Sequence, residues 1–146
     1  MRVGHAGVAA AAKRLGPRVP LWLLLCAAYA PDIIEVSLWP FGVHNRELSH
    51  SLISVGLGAT FLAAIYATLR RDARGAICLW SVYALHWPAD FITGHKPTWP
   101  GGPTVGLDLY DRPVIVWIVD LAVLGAGCWL YYRFSRRPAA AHTDSY

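Results

Sequence analysis

Charged side chains are scarce in this chain. Asp, Glu, Lys and Arg make up 15% of 146 residues, while hydrophobic residues make up 55%. Soluble domains carry about a quarter charged residues. The few charges are also clumped, which leaves long apolar windows between them. That pattern excludes an ordinary soluble domain and points to an integral membrane protein of one domain. Cysteine is sparse too: Cys26, Cys78 and Cys128 are odd in number, lack CxxC spacing and fall in apolar segments. They read as packing residues, not as a redox or thiolate metal site. Internal repeats, GxSxG, HExxH and a phosphate-binding glycine loop are all missing, which argues against serine hydrolases and nucleotide enzymes. The net charge of +4 does not suggest nucleic acid, because the basic residues sit at the ends of apolar segments, where they anchor to lipid.

What is present reads as an all-α membrane protein with four transmembrane helices plus a short N-terminal half-helix. Val3–Ala12 is small and apolar but too short to cross a bilayer, which needs about 20 residues. Val19–Leu38 is the first expected span, interrupted by Pro31. Its Ala28-Tyr29-Ala30 run resembles a signal-peptide cleavage site, but Pro31 directly after it is a poor context for cutting, so the segment is expected to remain. Trp39–Ser49 reads as a polar loop, with Ser49 capping a second span over Leu52–Leu69. Gly75–Thr93 is the third span, with a kink expected at Pro88. Gly94–Pro113 reads as a long Gly/Pro-rich loop of the length often seen in lids or binding loops, and Val114–Phe134 as the fourth span, with Asp120 inside it. Trp22, Trp39, Trp87 and Trp99 are expected near membrane interfaces. Residues 1–137 form the single transmembrane domain and 138–146 a disordered cytoplasmic tail.

Ten of the thirteen basic residues fall on one side of this topology, and three, Arg46, Lys96 and Arg112, on the other. The positive-inside rule then places both termini in the cytoplasm.

Chemistry concentrates in Trp80–Lys96, WSVYALHWPADFITGHK. His86 and Asp90, four apart, share one helix face, and imidazole and carboxylate are the usual ligands of zinc and related ions. Asp32, His50 and His95 approach the same side of the membrane. His5 is a further candidate, although helical rise spreads these groups over depths of about 12 to 30 Å unless tilts or kinks close the gap. Two readings of the buried polar groups stay open: a metal centre, or a network that locks helices together or passes ions or protons. Asp32 has a blander reading as a helix cap after Pro31. His44 and His142 read as surface residues.

Gly4-His5, Ala30-Pro31-Asp32, Arg46…Ser49-His50-Ser51 and His86…Asp90, in this order, resemble the membrane-bound metal-dependent hydrolases of bacteria. The stretch from His86 through Trp99-Pro-Gly-Gly-Pro-Thr-Val-Gly-Leu107 is similar to a related group of uncharacterised integral membrane proteins. The resemblance runs from about residue 4 to about residue 134 and implies a divalent metal ion, zinc by preference. The ligands would be a subset of His5, Asp32, His50, His86, Asp90 and His95, with Asp32 or Asp90 as catalytic base. The ion would acidify a water for attack on an ester-type bond of a lipid-like or lipid-linked substrate. Two positions depart from the hydrolase pattern. Ile34 stands where a second acid is usual, and Asn45 where a histidine precedes the arginine. Both thin the ligand set.

Overall fold

The computed structural model describes residues 3–135. The expected disordered tail, His142, Arg2, Arg136 and Arg137 lie outside them. The fold is almost wholly helical. Helices α1 (Gly4–Ala12), α2 (Leu21–Ala28), α3 (Ala30–Leu38), α4 (Glu47–His50), α5 (Leu52–Arg70), α6 (Ala73–Ala84), α7 (His86–Thr93) and α8 (Pro113–Ser135) are joined by turns and one small hairpin. In that hairpin β1 (Lys96–Pro97) pairs antiparallel with β2 (Thr104–Val105).

Among the described residues, α5 and α8 are long and apolar enough to cross a membrane, and α2 with α3 form a possible third span bent by 60°. Four spans were expected, and the difference has local causes. Gly75–Thr93 is not one helix. It breaks at Leu85 into α6 and α7, each too short to span. Pro88, in the first turn of α7, has no N–H to continue the ladder back to Ala84. The break therefore falls one residue before His86, and His86 and Asp90 remain on one helix. Pro31 has the same effect at Tyr29, where α2 ends and α3 begins.

The two long helices are built inside out. Ile53, Leu57, Phe61, Ile65 and Leu69 of α5 point outward, while Val55, Ala59 and Tyr66 are buried. Large apolar side chains outside and small ones inside suit a lipid solvent, where close approach of backbones holds helices together. Ser51, not Ser49, caps α5, its hydroxyl accepting from Ser54 N at 3.1 Å. Trp22, Trp39 and Trp99 are exposed, whereas Trp87 packs against the core and donates from Nε1 to Pro97 O.

The half-helix α1 lies parallel to α8. Gly4 N donates to Asp120 Oδ1 at 3.2 Å, Gly7 touches the backbone of Val123 and Leu124, and Arg14 lies over the Phe134 ring at 4.1 Å. Asp120, fully buried, thus meets the positive N-terminal end of α1. Arg74 Nε donates to Leu15 O at 2.9 Å, which brings the arginine-bearing ends of α1, α6 and α8 to one end of the bundle.

Candidate metal centre

Five of the six sequence candidates meet at the other end of α1. His5 comes from α1, Asp32 from α3, His50 from α4, and His86 and Asp90 from α7. The depth problem closes because each partner sits beside a chain break: Tyr29 before Asp32, Ser51 after His50, Leu85 before His86.

The ligand-type atoms are close. His5 Nε2 lies 3.2 Å from Asp90 Oδ1, and His50 Nε2 lies 3.1 Å from Asp32 Oδ1. His86 Nε2 lies 3.4 Å from Asp90 Oδ2 and 3.8 Å from Asp32 Oδ1, and His50 Nε2 is 3.9 Å from Asp90 Oδ2. Donors held tetrahedrally at about 2.0 Å from zinc stand roughly 3.3 Å from one another. The observed separations span and exceed this edge length. In three groupings all ligand-type atoms lie within 4.8 Å of one another: His5, Asp32 and His86; His50, His86 and Asp90; and Asp32, Glu35 and His50.

The tautomer of His86 follows from its outer partner. The end of α2 at Ala28 leaves a terminal carbonyl, and His86 Nδ1 donates to it at 2.9 Å. In neutral His86 the Nε2 lone pair therefore faces Asp90 and Asp32. That atom is buried and has no hydrogen-bond partner. A lone pair pointed at carboxylates is repulsive unless a cation lies between them. His50 sits between Ser49 Oγ, 2.8 Å from Nδ1, and Asp32 Oδ1, 3.1 Å from Nε2, so either ring nitrogen can carry the proton in the neutral ring. His5 stacks on His86, with ring centroids 4.2 Å apart.

The histidines and Asp90 are almost fully buried, while the Asp32 side chain is 39% exposed. Asp32 and Asp90 line a polar cavity of about 640 Å³ together with Arg46, His95, Lys96 and Tyr110. Asp32 does not cap α3, since the N-terminus of that helix has no side-chain cap. His95 is set apart from the cluster. It is half exposed and pairs with Asp108 at 3.2 Å, because β1 turns its neighbour Lys96 inward instead.

Two residues of the cluster were not among the candidates. Lys96 Nζ lies 2.5 Å from Asp90 Oδ2 and is buried. Its signal, a lysine in a loop after His86…Asp90, served only to orient the chain. Glu35 places Oε2 3.4 Å from His50 Nδ1 and Oε1 3.0 Å from Arg46 Nε. It supplies an acid one residue after the exposed Ile34, and its i, i+3 spacing from Asp32 on a helix was the readable sign. Asn45, in the place of the usual histidine, accepts from Glu47 N at 2.9 Å and opens α4. Three carboxylates against Lys96 and Arg46 leave one negative charge when the histidines are neutral. The buried His/Asp groups can thus hold a cation. No protein-family model, curated protein or solved structure matches the chain.

Proposed function

We propose that the chain is a membrane metal-dependent hydrolase that holds a divalent cation, zinc by preference, among His5, Asp32, His50, His86 and Asp90. The observation that carries this reading is His86 Nε2, buried without a partner and aimed between two carboxylates. The order of the motifs, which resembles that of the bacterial membrane hydrolases, points the same way. A bound ion supplies a Lewis acid and a more acidic water. The chain supplies the rest. Ala28 O and Ser49 Oγ fix the imidazoles. Asp90 is engaged by His5 and Lys96 and serves as ligand. Asp32, the more exposed of the two carboxylates and open to the cavity, would take a proton from an attacking water when the other groups hold the ion.

A lipid-like substrate is supported by an apolar groove of about 870 Å³ between α1, α6 and α8. It is lined by Gly7 and Val8, close to His5, and by Leu85, next to His86, with Arg14 and Arg74 also on its wall. We place the arginine-rich end of the bundle on the cytoplasmic side of a bacterial inner membrane, following the positive-inside rule.

The test is metal content and melting temperature on the same detergent-purified samples. His86→Ala and Asp90→Ala are each expected to lower bound metal sharply while the protein stays in the membrane fraction. The second reading, a helix-locking network, is favoured by the Lys96–Asp90 pair, which already places a cation at the centre. It predicts loss of thermal stability in both variants and no metal in the wild type after reconstitution, a result that ends the hydrolase reading.

A further inference from the structure

The centre contains a lysine that a metal site does not need. Lys96 is carried by β1, and the hairpin is fastened on several sides. Leu52 N donates to Thr98 O at 3.1 Å, Trp87 Nε1 to Pro97 O at 3.2 Å, Leu107 N to Phe91 O at 2.8 Å, and Gly101 N to Glu47 Oε2 at 2.9 Å. This fixes the stem of Lys96 against α7, with its ammonium on Asp90 Oδ2 and lining the polar cavity.

The oxygen that Lys96 holds is also the one that faces His86 Nε2 at 3.4 Å and His50 Nε2 at 3.9 Å. Asp90 Oδ2 cannot give its full charge to both the ammonium and an ion among those nitrogens. Lys96 and the ion compete for it. When Asp90 serves the ion, the ammonium keeps its place on the cavity wall with its donors free. Arg46 lines the same cavity with an exposed guanidinium whose Nε alone is engaged by Glu35. The cavity then presents an ammonium and a guanidinium beside the metal centre, a combination suited to a tetrahedral oxyanion. Its size, about 640 Å³, admits a phosphate-bearing group.

We propose that the polar cavity is a phosphate site in which Lys96 is the specificity residue, so that the substrate class of this centre is a phosphate ester. This rests on the metal-centre reading and names what that centre takes. Lys96 would touch the substrate oxygens and oppose the metal, so its removal has two effects of opposite sign.

The experiment is titration of the full chain in detergent with zinc, then of the zinc-loaded chain with inorganic phosphate. In Lys96→Gln zinc affinity is expected to rise, because the competing ammonium is gone. Phosphate affinity is expected to fall about tenfold or more, as a charge-assisted contact is lost. Lys96→Arg should retain phosphate binding. Arg46→Gln, at an exposed position, should weaken phosphate binding without raising zinc affinity, which keeps the test sound if Lys96→Gln fails to fold. Phosphatidic acid in mixed micelles and glycerol phosphate are then used as competitors. Stronger displacement by the former assigns a lipid headgroup, and equal displacement a free ester. A Lys96→Gln protein that binds zinc and phosphate as the wild type does overturns the proposal alone. Wild-type protein that takes up no zinc removes the metal centre and the phosphate site with it.

Discussion

Replacing Gly7 by alanine tests whether the packing of α1 on α8 sets the position of His5. A methyl group at Gly7 would lie 2.7 Å from Leu124 Cα, and ordinary contact begins near 3.4 Å. The obstacle is backbone, which cannot swing aside, and Val123 O lies closer still, so α1 must retreat by more than about 0.7 Å. Overpacking of this kind costs about 1–3 kcal/mol. Alanine returns up to roughly 1 kcal/mol through its better helix propensity, so a net loss of about 1–2 kcal/mol is expected. His5 lies on the same helix two residues away and must move with it. Metal–ligand distances tolerate about 0.2 Å, so a retreat of this size loosens His5 and should lower zinc affinity by about 10–100-fold, the range seen when support of a ligand is removed. Thermal unfolding and competitive zinc titration on one detergent preparation measure both effects. Gly125→Ala is the control. It lies on α8 with nothing within 4 Å of the added methyl, and it should be neutral or slightly stabilising. A Gly7→Ala protein with lowered melting temperature and unchanged zinc affinity would refute the reasoning, since His5 would then not depend on this contact.

Asp120→Asn keeps an acceptor for Gly4 N and should be mild. Asp120→Ala removes it from the buried end of α1 and should cost about 1–2 kcal/mol by melting temperature. His95→Ala, outside the cluster and paired with Asp108, should leave zinc stoichiometry at the wild-type value. Zinc affinity should weaken as the pH is lowered, because neutral imidazole is the ligand and the proton competes for it; a flat profile from pH 7.5 to 5, read by titration, speaks against histidine ligation. A topology reporter fused at Arg71–Asp72 should read as cytoplasmic and one at Gly101–Gly102 as external, in line with the gathering of Arg14 and Arg74 at one end of the bundle.

The long helices were readable because α5 and α8 are long apolar runs ended by arginines, broken in α8 only by Asp120. The third span was overcounted for a physical reason. The window Gly75–Thr93 has one continuous composition, and a single missing N–H at Pro88 decides that it is two helices. The same proline was legible as a break, yet its effect falls on Leu85, one turn upstream, where the lost hydrogen bond would have closed. The face shared by His86 and Asp90 followed from local spacing. The arrival of His5 beside them did not, because it depends on Gly7 and Gly127 meeting across 120 residues of chain. Glu35 and Lys96 carry no motif of their own; only the turn of α3 and the hairpin fold bring them to the cluster. His95 looked like a ligand because it follows Asp90 closely, but it lies just before β1 and pairs with Asp108, while Lys96 turns in to Asp90.

The pairing of α1 with α8 also imposes an order on assembly. Helix α8 contributes no ligand, yet it carries the backbone surface against which α1 rests and the carboxylate that receives Gly4 N. During synthesis His5 emerges first and Lys96 much later, but neither event completes the centre. Until Asp120 and Gly127 have left the ribosome, α1 lacks the surface of α8 on which it packs and the partner of Gly4 N. A nascent chain stopped after Pro113 would hold every residue of the cluster and still present an unfinished site. The cluster is therefore assembled only once the last long apolar helix is in place.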